Sequence, residues 1–376
     1  MPAFLTSPGP PHGGNLSAEA RRLGCDPRRL LDASASLVPF RPPRVLQRAL
    51  IRGIGGSALR DYPDRSQADL SAALAHHHGL DQGAVLPGNG AAELFTWAAR
   101  DAAASGCSLL PQPGFADYMR SLQCWQGAWE NLSLPLSWSA SWPQAFPVTS
   151  TVQAPMGLGG CLWITNPHNP TGQLWSRASL RELLSRYALV ICDEAFLPLV
   201  PGGEEQSLVP LVEHNPNLVV IRSLTKLFAI AGLRLGYAIA HPERLQRWRG
   251  WRDPWSVNGL ALEAGTAVMS DQPALRRWLE RVHRWVRHEE PWLRSQLNQL
   301  SGLQAHPSSA NFLLVSGASS LLGLRDGLAR RGVLLRDCRS FEGLGERWLR
   351  IGLQSRSNNR RIIRALRQEL ARQPLV

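Results

Sequence analysis

The sequence predicts an α/β protein: a large domain around a mostly parallel central sheet, followed by a smaller α+β domain. Three observations carry this. Short continuous apolar runs recur at Cys107–Leu110, Leu162–Thr165, Leu189–Cys192 and Leu218–Ser223. Runs of that length, separated by helical stretches or loops, read as strands buried on both faces. After His241 the pattern changes to two long helical stretches and then short strands.

Taken in order, the first eleven residues are rich in Pro and Gly and read as a loose arm. The turn Pro87-Gly88-Asn89-Gly90 opens a helix predicted over Ala91–Ala104, and Ser179–Tyr187 is a second helical candidate. Leu132–Pro155, rich in Trp, Ser and Pro, reads as a surface connection with one strand. Helices follow at about Val257–Ser270 and Pro273–Leu300, then Asn311–Val315, Gly332–Arg336 and Trp348–Leu353, and a terminal helix over Asn358–Arg372. The division predicted is an arm over 1–40 that joins the small domain, a large domain over 41–245 and a small domain over 246–376.

Composition limits the function classes. The six cysteines are scattered with no Cys-x-x-Cys pair, which argues against a zinc site or a disulfide framework and fits a reducing cytoplasm. No window approaches a membrane span, and the first residues lack the pattern of a signal peptide. The net charge of +12 raises nucleic acid as a partner. The arginines, however, are spread along the chain. Their densest cluster, Arg276–Arg294, alternates with Trp278, Trp285 and Trp292, as in a helix with one buried stripe and a solvated basic face. Small anionic substrates also fit the charge.

Among 41 basic side chains only one is lysine, Lys226. Arginine cannot act as an amine nucleophile because its guanidinium stays protonated; a desolvated lysine can, and forms imines with carbonyls. A lone lysine could also be a survivor of compositional bias, so its neighbours matter. Ser223 and Thr225 flank it, and Arg234 follows across a predicted loop. Hydroxyls and a guanidinium there suit a phosphate held beside an imine. Three more motifs follow predicted strands or open helices. The turn at Gly88-Asn89-Gly90 could cradle a phosphate with backbone N–H groups or could merely join elements. Asn166-Pro167-His168-Asn169-Pro170 places the Asn169 amide at the sheet edge. Asp193 directly after an apolar strand is an awkward buried anion unless a cation meets it, or else caps the next helix.

In this order and spacing, from about His12 to Leu353, these motifs resemble fold-type I pyridoxal 5'-phosphate (PLP) enzymes of the class I/II aminotransferase superfamily. The resemblance implies PLP as cofactor and a homodimer. It makes Lys226 the imine-forming lysine, Asp193 the partner of the ring nitrogen and Asn169 the donor to the ring hydroxyl oxygen. Gly88, Asn89, Gly90, Ser223, Thr225 and Arg234 would cradle the cofactor phosphate, and Phe115 would stack on the ring. Tyr62 would cross the dimer interface to the phosphate, and Arg350 would bind a substrate carboxylate. One departure stands out: Phe196 occupies a position that is commonly Tyr, so one donor to the ring oxygen is missing.

Within the superfamily the chain is similar to threonine-phosphate decarboxylases of cobalamin biosynthesis and to histidinol-phosphate aminotransferases. His12-Gly13-Gly14-Asn15, Asp32-Ala33-Ser34-Ala35-Ser36 with Pro39, Phe196, and Leu335-Arg336-Asp337-Cys338 favour the former, although Ser36 stands where Asn is common. On that reading His12, Asn15 and Arg336 meet the substrate phosphate; otherwise His12 and Asn15 belong to a flexible Gly-Gly arm. A basic nucleic-acid-binding protein on a degenerate PLP fold is the reading from another class. Degeneration should have removed Lys226, Asp193 or Asn169, and all three are present.

Overall fold

The computed structural model describes residues 13–147 and 159–375. Its centre is a seven-stranded sheet of β2 (Val85–Asn89), β3 (Ser108–Gln112), β4 (Trp129–Ser133), β5 (Cys161–Thr165), β6 (Leu189–Asp193), β7 (Leu218–Ser223) and β8 (Leu235–Ala240), in the order β2-β8-β7-β6-β5-β3-β4. All neighbours are parallel except β8, which runs antiparallel to both β7 and β2. The fold is thus the expected α/β class with a mostly parallel sheet.

Strand side chains alternate between two cores. Leu189 and Ile191 of β6 face α4 (Gly90–Ser105) and its neighbour α5 (Asp117–Gln123), with Leu245 and Trp248 of α8 (Pro242–Trp251). Val190 and Cys192 face the other core, which continues into the C-terminal half. There a four-stranded antiparallel sheet is ordered β12 (Arg336–Asp337), β13 (Trp348–Gly352), β10 (Phe312–Gly317), β9 (Leu303–Ala305). A two-stranded parallel pair, β1 (Leu31–Asp32) with β11 (Val333–Leu334), ties the start of the chain to it.

The remaining helices are α1 (Leu16–Leu23), α2 (Arg44–Gly55), α3 (Ala68–His78), α6 (Arg177–Arg181), α7 (Leu224–Leu227), α9 (Gly259–Ser270), α10 (Gln272–Leu297), α11 (Leu322–Arg330) and α12 (Arg356–Arg372). The tryptophan stripe lies on α10. Trp278 and Trp285 are buried, and their indole N–H groups donate to the carbonyls of Leu227 and Gln354, each at 2.9 Å. Trp292 is half-buried, with the Arg356 guanidinium 4.4 Å from its ring centroid.

Two local expectations are corrected. The helix predicted over Ser179–Tyr187 is only Arg177–Arg181; beyond it the N–H groups of Leu183, Leu184 and Arg186 bond three residues back instead of four, and the Asn217 carboxamide donates to the Leu184 and Tyr187 carbonyls at 2.8 and 2.9 Å. The strand expected within Leu132–Pro155 instead begins at Trp129. From there to residue 147 the segment adds only one isolated bridge, Gln144 to Trp175, and the rest lies outside the described residues.

Candidate active site

The carboxyl ends of β5, β6 and β7 open into a cavity of about 300 Å³, the place where α/β sheets gather ligands. Asn169, Asp193, Ser223, Thr225, Lys226, Arg234, Phe115, Arg336 and Arg350 all line it. Residues as far apart in sequence as Phe115 and Arg350 thus meet at one place.

Lys226 sits on α7, immediately after β7, and both sides of that turn are pinned. Its carbonyl accepts from the Val38 N–H at 3.3 Å, and the next carbonyl accepts from Trp278. The amine lies 3.3 Å from the Ser223 hydroxyl and 5.7 Å from the Phe196 ring centroid. Removal from water lowers its pKa, Asp193 opposes that effect, and Arg234 and Arg350 reinforce it.

Asp193 ends β6. One carboxylate oxygen accepts from the Ala195 N–H at 2.9 Å and the other from the Tyr118 hydroxyl at 2.7 Å. Burial raises its pKa; those two donors and Lys226 hold it down. Asn169 is buried, and its side-chain oxygen accepts from Arg350. That contact assigns the amide NH2 to face elsewhere, as a donor must.

Ser223 and Thr225 share a hydrogen bond at 2.7 Å beside the N-terminus of α4. Gly90 there has φ +74°, and a Cβ on it would fall 2.6 Å from the Arg234 guanidinium. A Cβ on Gly236, in β8, would fall 2.8 Å from the Ala91 nitrogen. Backbone N–H groups at a helix start, two hydroxyls and a guanidinium, packed without room for side chains, form an anion cradle. With an amine, a buried carboxylate and an amide close by, this donor set fits PLP.

Arg350 and Arg336 are direct cross-strand partners on β13 and β12. Arg350 is buried over the Phe312 ring, its Nη2 donates to the Ser34 carbonyl at 3.4 Å, and its Nε has no partner among the described residues. Burial first, and Arg336 second, lower its pKa to about 10. Arg336 donates to the Ser340 hydroxyl and lies 5.4 Å from the Phe341 centroid.

Other candidates fall elsewhere. Gly88 and Asn89 do not line the cavity: Gly88 packs against Leu94, and Asn89 is exposed with its N–H donated to Glu93. Tyr62 is exposed and stacks on Trp255 with centroids 4.4 Å apart, away from the cavity. Asn15 is exposed, caps α1 by accepting from the Ala18 N–H at 3.1 Å, and lines a smaller cleft. That cleft shares Gly13, Ser34 and Arg336 with the main cavity. His12 lies outside the described residues.

Sequence reasoning assigned no role to Tyr118, Thr165, Ser34 or Phe341. Tyr118 lies three residues after Phe115, a helical spacing that could have pointed it toward the same site.

Residues 32–366 match the model of the family described as aminotransferase class I and II. The chain is 34% identical to a threonine-phosphate decarboxylase of Salmonella typhimurium over 369 residues, 96% of each protein. It is also 34% identical to a histidinol-phosphate aminotransferase of Symbiobacterium thermophilum over 313 residues, 82% of each. The solved histidinol-phosphate aminotransferase of Clostridium acetobutylicum shares the fold at TM-score 0.80 and 24% identity, over 90% of this chain and 98% of that one. The chain belongs to the class I and II aminotransferase family of PLP-dependent enzymes.

Proposed function

We propose that the chain decarboxylates L-threonine O-3-phosphate, releasing CO2 and leaving (R)-1-amino-2-propanol O-2-phosphate once Cα takes up a proton. The observation that carries this reading is the cross-strand pair Arg336 and Arg350. Like charges directly opposite on a sheet are unfavourable. A substrate with two anionic groups, a carboxylate and a phosphate, would offset that repulsion and engage both guanidiniums, Arg350 by a bidentate contact. The similarity to the Salmonella enzyme over nearly the whole chain supports it as well.

When bound, PLP supplies the electron sink that lets a bond at Cα break. Lys226 would hold it through the ε-amine, with Asp193 at its nitrogen and Asn169 at its ring oxygen. Ser223, Thr225, Arg234 and the start of α4 would hold its phosphate, and Phe115 would cover its face. The chain's part is to choose the bond: Arg350 fixes the carboxylate, and the residue 13–15 turn next to Arg336 receives the substrate phosphate. Lys226 would return a proton to Cα.

The second reading, amino transfer from histidinol phosphate, has the Symbiobacterium relative in its favour. That substrate has no carboxylate for Arg350. The test is a side-by-side assay of CO2 release from threonine phosphate and amino transfer from histidinol phosphate, with Arg350→Ala beside the natural enzyme. CO2 release that falls about 100-fold or more in Arg350→Ala is expected, as for loss of a bidentate charged contact. Efficient amino transfer with no CO2 release would defeat the decarboxylase reading.

A further inference from the structure

We propose that Tyr118 is a positioning residue that fixes the Asp193 carboxylate toward the PLP ring nitrogen, through a chain running from Thr165 to Tyr118 to Asp193. This rests on the assignment of Asp193 to that nitrogen; Tyr118 itself does not line the cavity.

The three side chains are buried at 4%, 3% and 5% exposure, so water does not compete for these bonds. The Tyr118 hydroxyl lies 2.7 Å from Asp193 Oδ2 and 2.8 Å from the Thr165 hydroxyl. An ionised carboxylate only accepts, so the single tyrosine proton goes to Asp193 and Thr165 must donate to the tyrosine oxygen. Polarity along the chain is thereby set. With the Ala195 N–H on Oδ1, both carboxylate oxygens are tied, and rotation of the group is blocked.

The aim of the hydroxyl is fixed by its own ring. Phe95 and Phe115 pack edge-on at 5.2 and 5.6 Å, and Trp163 lies over it at 5.0 Å. Thr165 and Asp193 are register partners on β5 and β6, so the acceptor and the far donor move together. One turn of chain, Phe115 to Tyr118, therefore reaches both the cavity and the base of Asp193. The other titratable groups around this carboxylate are Lys226, Asp117 and Cys192. Lys226 favours its charge, and Asp117 opposes it; the buried Cys192 thiol is pushed well up and stays neutral.

The experiment reloads apoenzyme with 15N-labelled PLP and reads the ring-nitrogen chemical shift at one fixed pH, together with the PLP dissociation constant. Asp193→Asn sets the neutral-pyridine position. Tyr118→Phe is expected to fall between that and the natural enzyme, with PLP bound about tenfold more weakly. Thr165→Val, which keeps every ring, should move the same way by less, since Tyr118 still donates. An unchanged shift and unchanged affinity in Tyr118→Phe would overturn the proposal. Should that variant fail to fold, an unchanged shift in Thr165→Val overturns it equally. A pyridinium shift retained in Asp193→Asn would instead defeat the Asp193 assignment itself.

Discussion

Replacing Lys226 by alanine or by arginine is expected to abolish covalent trapping of PLP by borohydride, while noncovalent binding in the cradle persists. Arginine keeps the charge but offers no free amine. Trapped cofactor in either variant, read by mass spectrometry, would move the attachment point away from Lys226. The residue scale also shows how much was legible in sequence. Lys226, Asp193 and Asn169 could be placed because each carries a chemical demand: an amine where arginine would not serve, a carboxylate behind an apolar strand, an amide between two prolines. Tyr118 carries no such demand. A buried tyrosine near other aromatics reads as core, and only its hydroxyl's contact with Asp193 separates it from one. Gly88 and Asn89 lie outside the cavity lining, since a glycine turn points to a phosphate cradle without saying which of its residues face in.

At the scale of elements, the cradle depends on β8 coming close to the start of α4. Gly236 makes this possible, because a Cβ there would lie 2.8 Å from both the Ala91 nitrogen and the Arg222 carbonyl. Gly236→Ala should push these two elements apart, destabilising the fold by ~1–3 kcal/mol as overpacking does. PLP affinity should fall about tenfold, equivalent to about 1.4 kcal/mol. Fluorescence titration of the apoenzyme checks this, and an affinity equal to the natural enzyme's would show that the cradle tolerates the shift. β8 was not predicted, nor its antiparallel direction. Its sequence, Leu235–Ala240, is as apolar as the parallel strands of the sheet, and a strand buried on both faces is a continuous apolar run whichever way it points. Behind the site, buried Arg222 on β7 bonds buried Glu194 beside β6 at 2.7 Å and also the half-exposed Glu204, a cluster that ties two strand ends together. Asp193 and Ser223 are the next residues along, so this cluster holds the floor of the site in register.

Two predictions concern the molecule as a whole. His168 and His78 are held neutral in the fold, with pKa values lowered to about 3 and about 2, mainly by burial. In the unfolded chain both take up a proton near pH 6.5. The unfolded state therefore binds more protons below that pH, and stability present above pH ~6.5 is lost progressively as pH falls toward 3. At pH 5.5 the two together should cost ~2–3 kcal/mol relative to pH 7.5. Urea unfolding at both values measures it, and His168→Gln should remove about half of the difference. The second prediction is a homodimer with shared sites. Ile51, Ile54, Leu59 and Tyr62 are all at least 60% exposed, an apolar group on α2 and the segment after it that a second copy would cover. Tyr62 is already braced on Trp255, whose ring also carries the Arg65 guanidinium at 4.5 Å from its centroid. Mixing an inactive Tyr62 variant with an inactive Lys226 variant should restore part of the activity, because one hybrid site keeps both residues. Full activity in a monomer would defeat this. The overall fold was legible because strands buried on both faces leave continuous apolar runs and long helices leave periodic ones; a surface that meets a second copy leaves none.

The placement of Lys226 has a practical consequence for anyone handling this protein. As the chain's one lysine, it provides the single bond, Lys226–Leu227, that a lysine-specific protease can cut. That bond lies in a helical turn held by Val38 and Trp278 at the edge of the cavity. In the apoenzyme, where the Lys226 amine is free, proteolysis into residues 1–226 and 227–376 therefore reports the loosening of the turn that carries the reactive amine. Bound ligand should slow that cut more than it slows cutting at any of the chain's forty arginines.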